Sequence, residues 1–189
     1  MKTIQNSVVQ LIPIGIEHVE DIFQAAHDPK IWKHMSVDLM EKENVTQYVN
    51  DALQRKGKDF AFVIVNHSSK EIIGVTWFLD YSAANKSVEI GSTWLNPTYW
   101  RSTINTNCKY LLLKYCFEEL KLNRVQIKTG HENIRSQKAI ERIGATKEGI
   151  LRNHMIRKEG KIRHTVMYSI IIEEWGEIKR HFEENLLKD

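Results

Sequence analysis

The chain has few residues that stiffen or cross-link a backbone: three prolines and two cysteines in 189 positions. Cys108 and Cys116 lie two helical turns apart, ~12 Å on a helix, which is too far for a disulfide. They read as reduced thiols, as expected of a cytoplasmic protein. No Cys/His spacing has the form of a zinc site, so no metal is expected. No apolar run approaches the length of a membrane span. The opening MKTIQNSVVQLIPIGIEH has one lysine and a proline within its short apolar run, and it lacks the layout of a signal peptide. Internal repeats, low-complexity tracts and linkers are absent too, so a single domain is expected.

Charge is present but unevenly placed. The formal net charge is +3. From Lys121 to Arg163 there are twelve Lys or Arg against four Asp or Glu, a local excess of +8 that leaves −5 for the remainder. Such a segment could face a phosphorylated cofactor, an acidic protein or nucleic acid, or be a solvated face. Its cations alternate across strands and helix faces, and it has no aromatic-rich RNA signature, which argues against nucleic acid.

Hydrophobic periodicity predicts an α+β domain. Strands are expected over Val8–Ile14, Phe60–Val65, Glu71–Leu79, Ser87–Leu95, Asn123–Thr129, Lys147–Ile156 and Ile162–Ile172. The second, third and fourth of these make an antiparallel meander. Gly91 hints at a bulge, and Glu159-Gly160 at a hairpin turn. Helices are expected over Ile16–Ala26, from Pro29 to about Met35, over Glu41–Leu53, Ile104–Leu120 and Asn133–Ile143, and from Glu173 onward. Gly144 serves as a left-handed cap. The domain is placed at residues 8–175, with a C-terminal helical tail over 176–189.

The stretch from Trp94 to Leu120, WLNPTYWRSTINTNCKYLLLKYCFEEL, carries the most functional information. A strand ends, the chain turns at Asn96-Pro97, and a polar segment leads into a long helix. The first N–H groups of a helix have no intrahelical partner and the dipole there is positive, so this junction can hold an anion.

Several stretches in this order resemble the GNAT N-acetyltransferase superfamily, and most of all its RimJ/RimL-type branch of ribosomal-protein N-terminal acetyltransferases. They are VVQLIPI with its following helix, Asp28-Pro29-Lys30-Ile31, Glu89-Ile90-Gly91 followed by Trp94-Leu95-Asn96-Pro97-Thr98-Tyr99-Trp100, Asn133-Ile134-Arg135-Ser136 with Gly144, Glu148-Gly149-Ile150-Leu151-Arg152, and Tyr168-Ser169-Ile170 with Glu174-Trp175. The likeness runs from about Val8 to Trp175. It implies a GNAT-like domain with a mixed, mostly antiparallel sheet of about six or seven strands flanked by helices. It also implies acetyl-CoA as donor and a primary amine as acceptor, a protein N-terminus or a small molecule. No metal or membrane is required, and the branch forms homodimers.

The resemblance also assigns roles. The central strand splays from its neighbour, and the backbone of Trp94 and Leu95 would bond the pantetheine arm. Arg101, Ser102, Thr103, Ile104, Asn105 and Thr106 would cradle the pyrophosphate. The family shows glycine or alanine where Arg101, Thr103 and Asn105 stand. Either cofactor binding is lost, leaving a binding or regulatory module, or the loop keeps ordinary helical angles and only its N–H groups matter. Asn133 is a cofactor contact, a helix N-cap, or both. Arg135, Lys138, Arg142 or Lys147 could approach the phosphates. Many relatives carry a tyrosine acid where Ile140 stands here, so Ser136 is the available proton donor, or else a solvated or capping serine. Glu89 is the candidate base, or else a structural carboxylate. Trp77, Trp94 and Trp100 read as core or acceptor-pocket walls.

Overall fold

Runs rich in β-branched and aromatic residues form the sheet, and amphipathic runs form the helices that cover it. The computed structural model describes residues 1–188 except Lys56, Lys158 and Glu159. The strands are β1 (Ile4–Gln5), β2 (Val9–Pro13), β3 (Phe60–Asn66), β4 (Ile72–Ser82), β5 (Ser87–Leu95), β6 (Arg124–Gly130), β7 (Thr146–Ile156) and β8 (Ile162–Ile171). The helices are α1 (Val19–Ala26), α2 (Lys42–Gln54), α3 (Ile104–Lys114), α4 (Ile134–Arg142) and α5 (Trp175–His181). All eight strands form one sheet in the order β1-β2-β3-β4-β5-β6-β8-β7. Every pairing is antiparallel except that of β5 with β6.

Side chains alternate between faces along each strand, and this divides the core in two. Val63, Val75 and Trp77 pack against Ile22 and Ala26 of α1 and Val45 and Val49 of α2. Phe62, Phe78, Ile90, Ile127 and Tyr168 pack with Leu112 of α3, Ile140 of α4 and Trp175 and Ile178 of α5. Phe182, just beyond α5, is fully buried in this second cluster.

The differences from the sequence reading have local causes. The eighth strand, β1, is two residues long, too short for any periodicity. The bulge falls just after Gly91: Val75 pairs with Trp94 and Trp77 with Gly91, so Ser92 and Thr93 together oppose Thr76. Ser92 takes φ 45 to make this turn. Helix α3 continues into a π-helical turn over Tyr115–Glu119, with Leu120 N–H bonding the Tyr115 carbonyl. The wider turn lets Tyr115, Cys116 and Phe117 all reach the core. Gly144, at φ 89, ends α4 in the left-handed conformation. Of the Glu159-Gly160 turn, Glu159 lies outside the described residues, and Gly160 has φ 72. Among the described residues no helix is long and apolar enough to cross a membrane.

Candidate active site

β5 and β6 form three pairs, Ser87–Arg124, Val88–Val125 and Glu89–Gln126, and then separate. β5 stays paired with β4 as far as Leu95, and β6 stays paired with β8 as far as Gly130. The sheet is therefore split along one seam, with strands intact on both sides. A split of this kind exposes main-chain groups that would otherwise bond the neighbouring strand.

The register shows which groups these are. Asn96 N–H donates to the Ile73 carbonyl at 2.8 Å, which makes Ile73–Asn96 a hydrogen-bonded pair. Such pairs alternate along an antiparallel ladder. Leu95, opposite Gly74, is thus a non-bonded position, and its N–H points away from β4 into the split. The Leu95 carbonyl is occupied, since it accepts the Trp100 indole N–H at 2.9 Å. A methyl at Gly74 would lie 2.2 Å from the Trp94 carbonyl, so glycine is what allows β4 to approach this segment.

The mouth of the split is the N-terminus of α3. Its first main-chain bond runs from Asn107 N–H to the Thr103 carbonyl, 2.9 Å. The amides of Asn105 and Thr106 therefore have no intrahelical acceptor, and Thr103 makes no side-chain cap. Thr103 has φ −73 and ψ −10, an ordinary helical conformation, and Asn105 lies inside the helix. Only Arg101, at φ 63, occupies a conformation that glycine would favour. The Ser102 hydroxyl is used within the turn, donating to the Tyr99 carbonyl at 2.7 Å and accepting from Ile104 N–H.

Cations gather at this mouth. Arg142, in the last turn of α4, donates to the Thr106 hydroxyl at 2.7 Å. The Arg135 guanidinium lies 4.1 Å from the centre of the Trp100 ring. Trp100 thus links Leu95 at the end of β5 to the first turn of α4 across the split, a stronger role than that of a pocket wall. Lys147 lies on the outer strand β7. Asn133 is the N-cap of α4, its side-chain oxygen accepting Ser136 N–H at 3.2 Å. That leaves the amide NH2 of Asn133 for another partner, and it leaves the Ser136 hydroxyl free of any protein bond among the described residues.

Glu89 lies at the last paired position, where the seam begins. It is 1% exposed and ion-paired to Lys128 at 2.7 Å, with Gln126 donating at 3.4 Å. Strand alternation puts Glu89 on the face covered by α1 and α2. Lys109 of α3, on the opposite face, is 8% exposed and donates to the Thr93 hydroxyl at 3.0 Å. Burial pulls its pKa down to about 8. Lys109 was not among the sequence candidates, although a lysine four residues before Leu113 interrupts the buried stripe of α3. Among the described residues no group of three or more His, Cys, Asp or Glu is placed to hold a metal ion.

The geometry suits an extended ligand with an anionic end. The split offers the Leu95 N–H, and the α3 terminus with Arg142 offers donors for anionic oxygens. Comparison with known proteins agrees. The acetyltransferase (GNAT) domain family matches residues 9–146. The uncharacterised N-acetyltransferase p20 of Bacillus licheniformis is 27% identical over 93% of this chain and 99% of its own length. YdaF of Bacillus subtilis, which carries the name of a ribosomal N-acetyltransferase, is 28% identical over 77% of this chain and 96% of its own length. The crystal structure of a GCN5-related N-acetyltransferase from Brucella melitensis superposes with a TM-score of 0.91 at 25% identity, covering 98% of this chain and 85% of that one.

Proposed function

Since this chain belongs to the GNAT acetyltransferase family and is an N-acetyltransferase, we propose that it carries an acetyl group from acetyl-CoA to a primary amine by direct attack in a ternary complex. The observation that carries this reading is the split between β5 and β6, with the Leu95 N–H turned into it and the unpaired amides of α3 at its mouth. Thr103 and Asn105 keep helical angles without glycine, which supports retained cofactor binding over a module that has lost it.

In this reading Arg101 to Thr106 hold the pyrophosphate through N–H groups, with Arg142 adding charge. Trp94, Leu95 and the amide NH2 of Asn133 bond the arm that leads to the thioester, and Arg135 closes the mouth from its place on Trp100. The acetyl-CoA thioester supplies the activated acyl carbon. Leu95 N–H receives the negative charge that develops on the thioester oxygen. Glu89 accepts the ammonium proton, directly or through water, and Ser136 gives its hydroxyl proton to the departing thiolate sulfur while taking up the second proton that the nitrogen sheds after attack. Holding the two reactants in register supplies much of the acceleration. The reaction takes place in the cytoplasm, where Cys108 and Cys116 stay reduced. Homodimer formation and a ribosomal-protein N-terminus as acceptor are the forms that the RimJ/RimL branch offers.

The test is mass spectrometry of amine and peptide acceptors after incubation with isotopically labelled acetyl-CoA. Label on the acceptor amine, with stoichiometric free coenzyme A and none retained on the protein, is expected. Failure to bind or turn over acetyl-CoA at any concentration contradicts it.

A further inference from the structure

Resting on the acetyl-transfer reading, we propose that the acceptor carries an anionic oxygen group, carboxylate or phosphate, near its amine, and that Arg157 and Arg163 bind that group. Gly130 is the last residue of β6, on the open side of the split. A methyl there would lie 2.6 Å from an Nη of Arg157 and 3.3 Å from Nε of Arg163. Two guanidinium groups therefore converge over one strand end, and glycine at that position lets them do so.

Neither is fully paired by the protein. The Nε atoms of both are buried and have no hydrogen-bond partner. Among the described residues the Arg163 side chain makes no ion pair and no hydrogen bond. The carboxylate nearest to Arg157 is Glu132 at 3.8 Å, which Lys161 shares at 3.5 Å. Unmade bonds to buried donors are costly, and two like charges in one place repel. An anion with two or more oxygens relieves both penalties at once, and the forked geometry of guanidinium suits it.

The position is that of an acceptor. Gly130, Lys128 and Glu89 share the sheet face covered by α1 and α2, whereas α3 and Arg142 lie on the other. Glu89, whose charge reaches Arg163, is already held by Lys128, so Arg163 has no carboxylate of its own. The charge of Arg157 also reaches His34. Its buried Nδ1 has no partner, and burial together with Arg157, Lys33 and Arg135 lowers its pKa from 6.5, so it adds little charge at neutral pH. A polyamine would meet repulsion here, whereas an amino acid, an amino phosphate or an acidic peptide N-terminus would not.

The test uses the whole chain saturated with coenzyme A, so that the α3 terminus is occupied. Inorganic phosphate or succinate, compared with chloride at equal ionic strength, should raise Tm in the wild type and not in Arg163→Gln. The larger response separates phosphate from carboxylate. In turnover, β-alanine should exceed its amide, or phosphoethanolamine should exceed ethanolamine, by about tenfold or more in kcat/KM. Arg163→Gln should erase the difference through KM, and Arg163→Lys should restore part of it. Arg163→Gln should also be at least as stable as wild type, since it removes an unpaired buried donor. Equal responses within each pair, a preference for spermidine, or no anion-dependent rise in Tm overturns the proposal while leaving acetyl transfer intact. Absence of coenzyme A binding overturns the acetyl-transfer reading itself.

Discussion

The Arg142 guanidinium, at the end of α4, donates to the Thr106 hydroxyl in the first turn of α3 at 2.7 Å. The bond joins the two helices that flank the mouth of the split and fixes a positive charge beside amides that lack intrahelical acceptors. Replacing Arg142 by Gln keeps a donor but removes the charge. Charge-assisted bonds are worth roughly 1.5–3 kcal/mol, and part of that is lost to solvent screening. Affinity for coenzyme A should fall about tenfold, and the salt dependence of binding should weaken. Isothermal titration at two ionic strengths reads both.

Arg101 holds φ 63 at an exposed position. The left-handed conformation costs an L-residue roughly 1–2 kcal/mol, and glycine gives back part of that as extra unfolded-state entropy. Arg101→Gly should stabilise the fold by about 0.5–1 kcal/mol and leave coenzyme A binding within about twofold, because the loop acts through N–H groups. Arg101→Val should destabilise it by at least ~1 kcal/mol. Urea denaturation measures both variants.

Lys109 titrates near 8 in the folded protein, against 10.5 for the free side chain, with burial as the largest cause. Below about pH 8 both folded and unfolded states hold the proton, so the penalty for burying the charge is fully present. Between about 8 and 10.5 the folded state has released the proton and the unfolded state has not, so stability rises with pH through this window. Lys109→Met removes the effect, while Thr93 keeps its bond to Thr76 at 2.8 Å. The variant should be more stable than wild type by about 1–3 kcal/mol at pH 7. The gap should narrow from pH 8 to 10.5. The difference between the two denaturation curves cancels the groups that do not interact with Lys109; Cys108, whose thiol burial pushes up to about 12 while the charge of Lys109 pulls it back, is removed separately by a Cys108→Ala background in both proteins.

Ser136 and Glu89 should separate kinetically. Ser136→Ala should lower kcat about ten- to hundredfold without changing acetyl-CoA affinity, and less so for thioesters with better leaving groups. Glu89→Gln should lower kcat by about tenfold or more at unchanged acetyl-CoA affinity. It should also lower stability by about 1–3 kcal/mol, because Lys128 loses its partner. A variant that loses stability but keeps kcat would make Glu89 a structural anchor for Lys128.

Much of this architecture can be read along the chain, because it follows from local pattern. The β-branched apolar run of Phe60–Asn66, the strand Ser87–Leu95, the stripe of Val19–Ala26, and Asn133 as a cap all depend on neighbours within a few residues. What escaped depends on distant contacts. β1 exists because Ile4 and Gln5 pair with Leu11 and Gln10. The burial of Lys109 depends on how α3 lies across Thr93. Arg157 and Arg163 are conspicuous only once the β7–β8 hairpin carries them over Gly130. Of the named candidates, Leu95 gained its meaning from a register that no single strand reveals, and Arg101 from a dihedral angle.

The most direct test of the central assignment is a titration of isotope-labelled protein with coenzyme A, followed by amide NMR. The largest shifts are expected at Thr103, Asn105 and Thr106 in the α3 terminus and at Leu95 in the split, saturating together at one ligand per chain. Amides there that stay unmoved at saturating ligand, or shifts confined to strands β7 and β8, would contradict it.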